Sequence, residues 1–331
     1  METRKVQITG GSTYTVSLPK GWTRENDVTD RSTIAIYTDE NNLILAPHDN
    51  DERIEGQVDV FTLDNDDIVR TIIAMYVNGF DIITLEMNRI TPDTRRATRN
   101  ITQNLVGLEV MEERKGKIVI RNLLNSAQLS ICDSISRMQV IAVTMLEDAV
   151  TALTKNDDDL AREIVNRDDD IDRLWFVVSR LFRKTLRTPV TVEELGFSRE
   201  VCFDFYTSAR QLERIADHAA KIGQITTEVD EIPENVATPV DRLHGKADTV
   251  INTAMEAVFS DEQEHAVRLS NEALRTVLEV DEHSRGINEL LRELDSHQAH
   301  QLRLCVDSLS RCADYGSNIA ETALQKAAPR P

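Results

Sequence analysis

The chain has 331 residues, 40% of them apolar, and carries 57 Asp and Glu against 38 Lys and Arg, a net charge of −19. That apolar content fills real cores and argues against a disordered acidic chain, and no run approaches the roughly 18 apolar residues of a membrane span. The longest is IIAMYV at 72–77, and the opening METRKVQITGG lacks the apolar core of a secretion signal, so a cytoplasmic protein with no membrane insertion is expected.

The chain opens on short β segments. KVQI (5–8), TYTVSL (13–18), STIAIYT (32–38) and NLILAP (42–47) alternate or carry β-branched residues, punctuated by GG, PKG and DENN, with room for one turn of helix. A β unit of about 50 residues buries too little apolar surface by itself, so residues 1–50 are expected to need a partner. RKVQITGGSTYTVSLPKGWTREND, followed by a strand-turn-strand ending LILAP, resembles the swapped-hairpin AbrB/SpoVT DNA-binding domain. The resemblance implies a homodimer in which two copies interlace into one small β-barrel, with double-stranded DNA as partner. Arg4, Lys5, Lys20 and Arg24, against Glu2 alone in residues 1–24, are the candidate DNA contacts. Without the resemblance they read as a scatter of solvated bases. VTDRST stands where that family has a glycine-rich turn after its short helix, so the second hairpin is expected to be shaped differently.

Residues 51–124 read as a small α/β segment. DNDDIVRTIIAMYVNGF is a helix stopped at Gly79, DIITLEM a strand, PDTRRATRNITQNLVG a helix with Pro92 near its start, and LEVMEE with KIVIR a hairpin around 114–116. No phosphate loop or nucleophile motif occurs in it, and its expected role is that of a linker or dimer-stabilising module.

From 125 to 327 glycine and proline nearly vanish from long runs with apolar spacing near 3.6, as in SISRMQVIAVTMLEDAVTAL, with turns expected at 156–159, 188–193 and 231–239. Cys132, Cys202, Cys305 and Cys312 sit inside these helical patterns without CxxC spacing, which points to small hydrophobes and away from disulfides or a thiolate zinc site.

LERIADHAAKIG (212–223) laid over LSRCADYGSNIA (309–320) matches at five positions, and each is preceded by an acidic helix start, RDDDIDRLWFVVSRL (167–181) and VDEHSRGINELLREL (280–294). Two repeats follow, 125–230 and 231–327, each read as a three-helix bundle. VNRDDDIDRL with QLERIADHAAKIG, and their weaker echo, resemble the two repeats of the PhoU family of phosphate-signalling proteins, and the N-terminal fusion resembles archaeal PhoU-like regulators with an AbrB-type domain. The fold class expected is therefore multidomain α+β: a swapped-hairpin barrel domain, an α/β middle segment and an all-α PhoU-like pair of bundles.

At 100° per residue, Leu212, Ile215, Ala216, Ala219, Ile222 and Gly223 form one apolar stripe, with Glu213 and Asp217 more than a quarter turn from its centre. Asp168 and Asp172 flank a second stripe, so none of the four carboxylates is expected to be forced into the core. About ten acidic i,i+4 pairs are expected by chance in a chain this acidic, each slightly destabilising to a helix. Such pairs read as a solvated face until the PhoU resemblance is added. That resemblance implies metal binding by Asp168, Asp172, Glu213 and Asp217, with iron, zinc, manganese or magnesium as the ion and no organic cofactor. His218, Asp281 and Asp314 are additional candidates. Ser310, Tyr315 and Arg285 depart from the pattern in the second repeat, so at most one good site per chain is expected.

The molar excess of acid, with 29 Arg to 9 Lys among the bases, suits a salt-rich cytoplasm in which the Debye length falls to about 3 Å. No catalytic motif appears, and a non-enzymatic, dimeric DNA-binding regulator of phosphate homeostasis is the expected function, its bundles sensing metal or a partner. The alternative is an adaptor that contacts a phosphate transporter or sensor kinase without binding DNA.

Overall fold

The computed structural model describes residues 2–39, 42–47, 53–124, 128–187 and 189–329, and divides into two compact units, Met1–Arg53 and Ile54–Pro331. In the first, β1 (Gln7–Thr9) pairs antiparallel with β2 (Thr13–Thr15) through a turn in which Gly10 and Gly11 take φ of 63° and 86°. A short helix α1 (Lys20–Glu25) follows, then a second antiparallel hairpin of β3 (Ile34–Asp39) and β4 (Asn42–Pro47). The turn after α1, lacking glycine, puts Asp27 in the left-handed region at φ 50°, a conformation short polar residues tolerate, and is braced by the Thr29 amide donating to Ser32 Oγ.

The two hairpins form separate two-stranded sheets. None of the described residues of this unit is buried, and Val6, Ile8, Tyr14, Val16, Ile36 and Leu43 are each more than half exposed. Hairpins of this kind are marginal alone in water.

The second unit begins with a four-stranded sheet in the order β5-β6-β8-β7. β5 (Glu55–Asp59) runs parallel to β6 (Ile82–Glu86), joined by α2 (Asn65–Val77). After α3 (Pro92–Asn104), β7 (Leu108–Arg114) and β8 (Lys117–Asn122) close an antiparallel hairpin against β6. Asp64 and Thr91 cap the two helices, each accepting from the amide three residues on. Ile72, Tyr76, Ile83, Leu85, Ile118 and Ile120 fill the space between sheet and helices. Strand β5 was not foreseen: EGQVD is polar at alternate positions and offers no apolar run.

Six long helices and a short one complete the unit: α4 (Ile131–Lys155), α5 (Asp158–Thr185), α6 (Pro189–Leu195), α7 (Arg199–Thr226), α8 (Glu234–Phe259), α9 (Gln263–Leu290) and α10 (Ser296–Ala327). α4, α5 and α7 pack on one another, as do α8, α9 and α10, while α7 against α10 and α4 against α8 join the groups into one continuous core. Ser130, Asp157, Ser198 and Asp295 cap helix starts, and Asn156 ends α4 at φ 54°.

Three sequence expectations are corrected here. The 188–193 region is not simply a turn, because α6 begins at Pro189, which is well placed at a helix start where its missing N–H is not needed. Pro239 lies inside α8, as its sixth residue, and not in the preceding turn, so the helix forgoes there the amide that would donate to the Asn235 carbonyl. The acidic stretch from 167 lies in the middle of α5, whose start is capped upstream by Asp157, and that from 280 lies in the second half of α9, which begins at Gln263.

The α/β segment is fixed to the helices by Arg180 of α5, only 2% exposed. Its guanidinium donates to the Tyr76 and Phe80 carbonyls at 2.6 and 2.9 Å and to Asp81 Oδ1 at 2.5 Å, and lies over the Tyr76 ring. The clamp thereby ties the Tyr76 carbonyl in the last turn of α2, and the Phe80 carbonyl just beyond that helix, to a buried cation paired with Asp81.

Candidate functional site

The four predicted carboxylates lie along the seam between α5 and α7, near enough to repel one another. Asp168 and Asp172 stand one turn apart on α5, Glu213 and Asp217 one turn apart on α7. The apolar stripe of α7 is buried as the periodicity predicts, and its end is drawn close to α5 at Gly223, where an added Cβ would sit 2.9 Å from the Ala161 carbonyl oxygen.

One placement differs from expectation: Glu213 is buried, at 8% exposure, whereas Asp168 and Asp172 are half-buried and Asp217 is exposed. The stripe geometry describes one helix, but α5 covers the flank of α7 on which Glu213 lies.

Burial and mutual repulsion act together on this group. Burial first, then the neighbouring Asp168, Asp217 and Asp169, push Asp172 up to about 6. Glu213 is pushed up to about 7 by burial and then by Asp217, with Arg210 opposing. Asp168 is raised by burial and by Asp217, and Asp217 by burial against the pull of Arg210 and Arg214. Arg210 donates to Glu213 Oε1 at 2.6 Å while its guanidinium lies 5.2 Å from the Trp175 ring centroid. Glu213 Oε2 and Asp168 Oδ1 are buried without a hydrogen-bond partner.

Carboxylate oxygens with unfilled lone pairs are suitable donors for a hard cation. Among the described residues, however, no group of three or more His, Cys, Asp or Glu side chains is arranged to hold a metal ion. The donor chemistry fits; the side chains as placed do not converge, and binding would need them to rotate.

His218 is not gathered into this group. Its Nε2 lies 3.5 Å from the Tyr315 hydroxyl, its Nδ1 is buried without a partner, and burial followed by Lys221 lowers its pKa. The residues facing it are those of α10, not the α5 carboxylates.

Tyr315 is the residue that the repeat aligns with His218, and Cys312, aligned with Ile215, places its Sγ 3.9 Å from the Ile215 carbonyl. Equivalent positions of the two repeats thus touch at the α7–α10 contact. In the second repeat Asp314 feels Asp281, but Arg311 donates to Asp314 at 3.2 Å, and Arg285 folds back to the Asp281 carbonyl of its own helix. The four cysteines are free thiols, and burial raises Cys202 to about 11 and Cys305 to about 12.

In the N-terminal unit Arg4, Lys5, Lys20 and Arg24 are exposed, Arg4 is paired with Glu2, and Lys20 and Arg24 stand one turn apart on α1.

A helical bundle with a carboxylate seam on one of two related halves is the class defined by this geometry. Comparison with known proteins narrows it. Residues 135–226 match the PhoU domain. The phosphate-specific transport system accessory protein PhoU homolog of Xylella fastidiosa strain 9a5c is 29% identical over 202 residues, 57% of this chain and 80% of the relative. Its counterpart in strain Temecula1 matches equally, over 79% of its length. In fold, PhoU from Pseudomonas aeruginosa superposes with a TM-score of 0.51 at 19% identity, covering 59% of this chain and 93% of that one. The helical part of the chain is PhoU-like in both sequence and fold. No helix of the described residues is long and apolar enough to cross a membrane.

Proposed function

We propose that this chain is a regulatory adaptor of phosphate uptake, acting by protein–protein contact with a phosphate transporter or its signalling partners and not by catalysis. The observation that carries this reading is the agreement of the helical region with transport accessory proteins along 80% of a relative's length, together with the shared fold. The expected regulator that works mainly through DNA has less support, because the family match begins only at residue 135. The test is deletion of the gene in its own host and re-expression of the full chain. Phosphate uptake and a phosphate-responsive reporter should lose their dependence on external phosphate and regain it; an unchanged response in the deletion strain would refute the adaptor.

Within this reading the seam holds a hard cation through Asp168, Asp172, Glu213 and Asp217. The ion would supply charge neutralisation, and the unpartnered buried oxygens of Asp168 and Glu213 support it. Metal analysis of purified protein should find about one ion per chain, lost in Asp172→Asn/Glu213→Gln; no ion, or two, would refute a single site.

A second reading concerns the N-terminal unit. Two hairpins with no buried side chain support a second copy of the chain supplying the missing core, with Arg4, Lys5, Lys20 and Arg24 contacting DNA phosphates. Footprinting of the wild type beside the Lys5/Lys20/Arg24 triple alanine variant, in high salt, tests it: a footprint lost in the variant supports DNA contact, and no footprint refutes it.

A further inference from the structure

The face of the α5–α7 seam continues beyond the carboxylates. Because the helices run antiparallel, residues descending α7 from Asp217 lie beside residues ascending α5 from Asp168. Next to the carboxylates comes Arg210 over Trp175, whose ring centroid is 5.0 Å from that of Tyr206. Tyr206 stacks on Phe182 at 4.7 Å, and Phe182 meets Phe203 at 5.9 Å. Phe203 is 50% exposed and Leu186, one turn past Phe182, is 58% exposed, and both line a groove of about 560 Å³. The opposite flank of α5 is occupied, since Phe176 and Arg180 hold the α/β segment, and among the described residues Phe182 and Leu186 lie on the side of that helix away from it.

The seam therefore has a built polarity, with four carboxylates at one end and, at the other, exposed aromatic and aliphatic residues whose groove is also lined by Arg199, Glu200, Asp204 and Lys326. From Phe203 to Asp217 is 14 residues, about 21 Å at the helical rise. A small ligand would not span that length. A partner helix of four or five turns would, with Lys or Arg at one end and an apolar face beyond it, the arrangement by which amphipathic helices lie in grooves. Two features select a cationic end: the unpartnered buried oxygens of Glu213 and Asp168, and the excess of four carboxylates over the two arginines, Arg210 and Arg214, that act on them.

We propose that the α5–α7 seam is the docking surface for a partner protein's amphipathic helix, basic at the end that meets Asp168, Asp172, Glu213 and Asp217 and apolar where it meets Phe182, Phe203 and Leu186. This rests on the adaptor reading and specifies the partner's chemistry; the basic end and the hard cation are alternative occupants of the same carboxylates, each excluding the other.

The probe is a fluorescein-labelled 18-residue synthetic helix with Arg and Lys in its first two turns and Leu at i, i+3, i+4 and i+7 thereafter, titrated by anisotropy with the full chain in chelator. The expected result is binding that weakens about tenfold with Phe203→Ser and about fivefold with Asp168→Asn/Asp172→Asn, as for an anchor aromatic and its charged rim. Both substitutions are at exposed or half-exposed positions, and melting temperatures no lower than that of the wild type will show that the variants fold. Equal binding of a scrambled peptide of the same composition overturns the proposal, as does a loss seen only with the distant exposed-site variant Leu278→Ser. A drop in sedimenting mass on Phe203→Ser overturns it in favour of a second copy on the seam. In the host, a Phe203→Ser chain that keeps full phosphate-dependent regulation overturns the docking surface but leaves the adaptor standing. A deletion strain with no phosphate phenotype removes the adaptor while the peptide result still reports on the seam.

Discussion

The α5–α7 seam and its counterpart on α9 and α10 share a scaffold and differ in charge. Both present an apolar stripe to the core, and their aligned residues meet across the α7–α10 contact. In the first, four carboxylates share one closely bound arginine and two buried oxygens go unpaired; in the second, Ser310 and Arg285 replace two of the acidic positions and Arg311 pairs with Asp314. Duplicated packing thus tolerates polar positions that are charged in one copy and neutralised in the other. Only the first copy also carries the α/β segment, through Arg180.

The largest way to break this comparison is to remove what only the first repeat has. Arg180→Ala would leave Asp81 and two carbonyls without their cation and should cost about 3–5 kcal/mol in chemical denaturation. A loss under 1 kcal/mol would mean that the segment is held by apolar contact alone. Gly223→Ala presses a methyl group toward a backbone oxygen that has no easy retreat, with an expected cost of about 1–3 kcal/mol. Gly286→Ala on α9 has open space around it and should stabilise by up to about 1 kcal/mol through helix propensity; equal effects at the two glycines would remove the asymmetry.

The charge difference gives a pH-dependent prediction. Glu213 is raised in the folded chain from 4.5 to about 7, so between those values the folded state holds a proton that the unfolded state has released. Its favourable contribution is complete below about pH 4 and is lost as pH rises toward 7. Glu213→Gln should therefore stabilise the chelated protein by about 1–2 kcal/mol at pH 7.5 and be nearly neutral at pH 4, measured by urea midpoints. A gain that does not vary with pH would separate the effect from ionisation. The smallest effect is expected at Asp314→Asn, within about 0.5 kcal/mol, because Arg311 already compensates this half-buried group.

Much of the helical region was legible in its periodicity: 3.6-residue spacing marks the long helices, the turn at 156–159 separates α4 from α5, and the stripe of α7 is buried as read. The grouping of Asp168 and Asp172 with Glu213 and Asp217 came from the PhoU resemblance, since spacing alone reads as a solvated acidic face. Burial of Glu213 did not, because a helical wheel contains no information about which neighbour covers a flank. His218 was grouped with the acids by adjacency in sequence, although one residue along a helix turns a side chain by about 100°. Arg180 was missed for a related reason. It lies in a polar-looking SRLFRK stretch, and its partners are carbonyls at the end of another helix some hundred positions away. The breaks between α8, α9 and α10 lack strong proline or glycine signals and were likewise not read from the pattern.

The exposed hairpins at the start of the chain carry a thermodynamic consequence of their own. If the second copy proposed above supplies their interior, the melting of this unit depends on chain concentration while that of the helical unit does not. Dilution should then separate the two transitions, making the first fifty residues a gauge of association on a chain whose remainder stays folded.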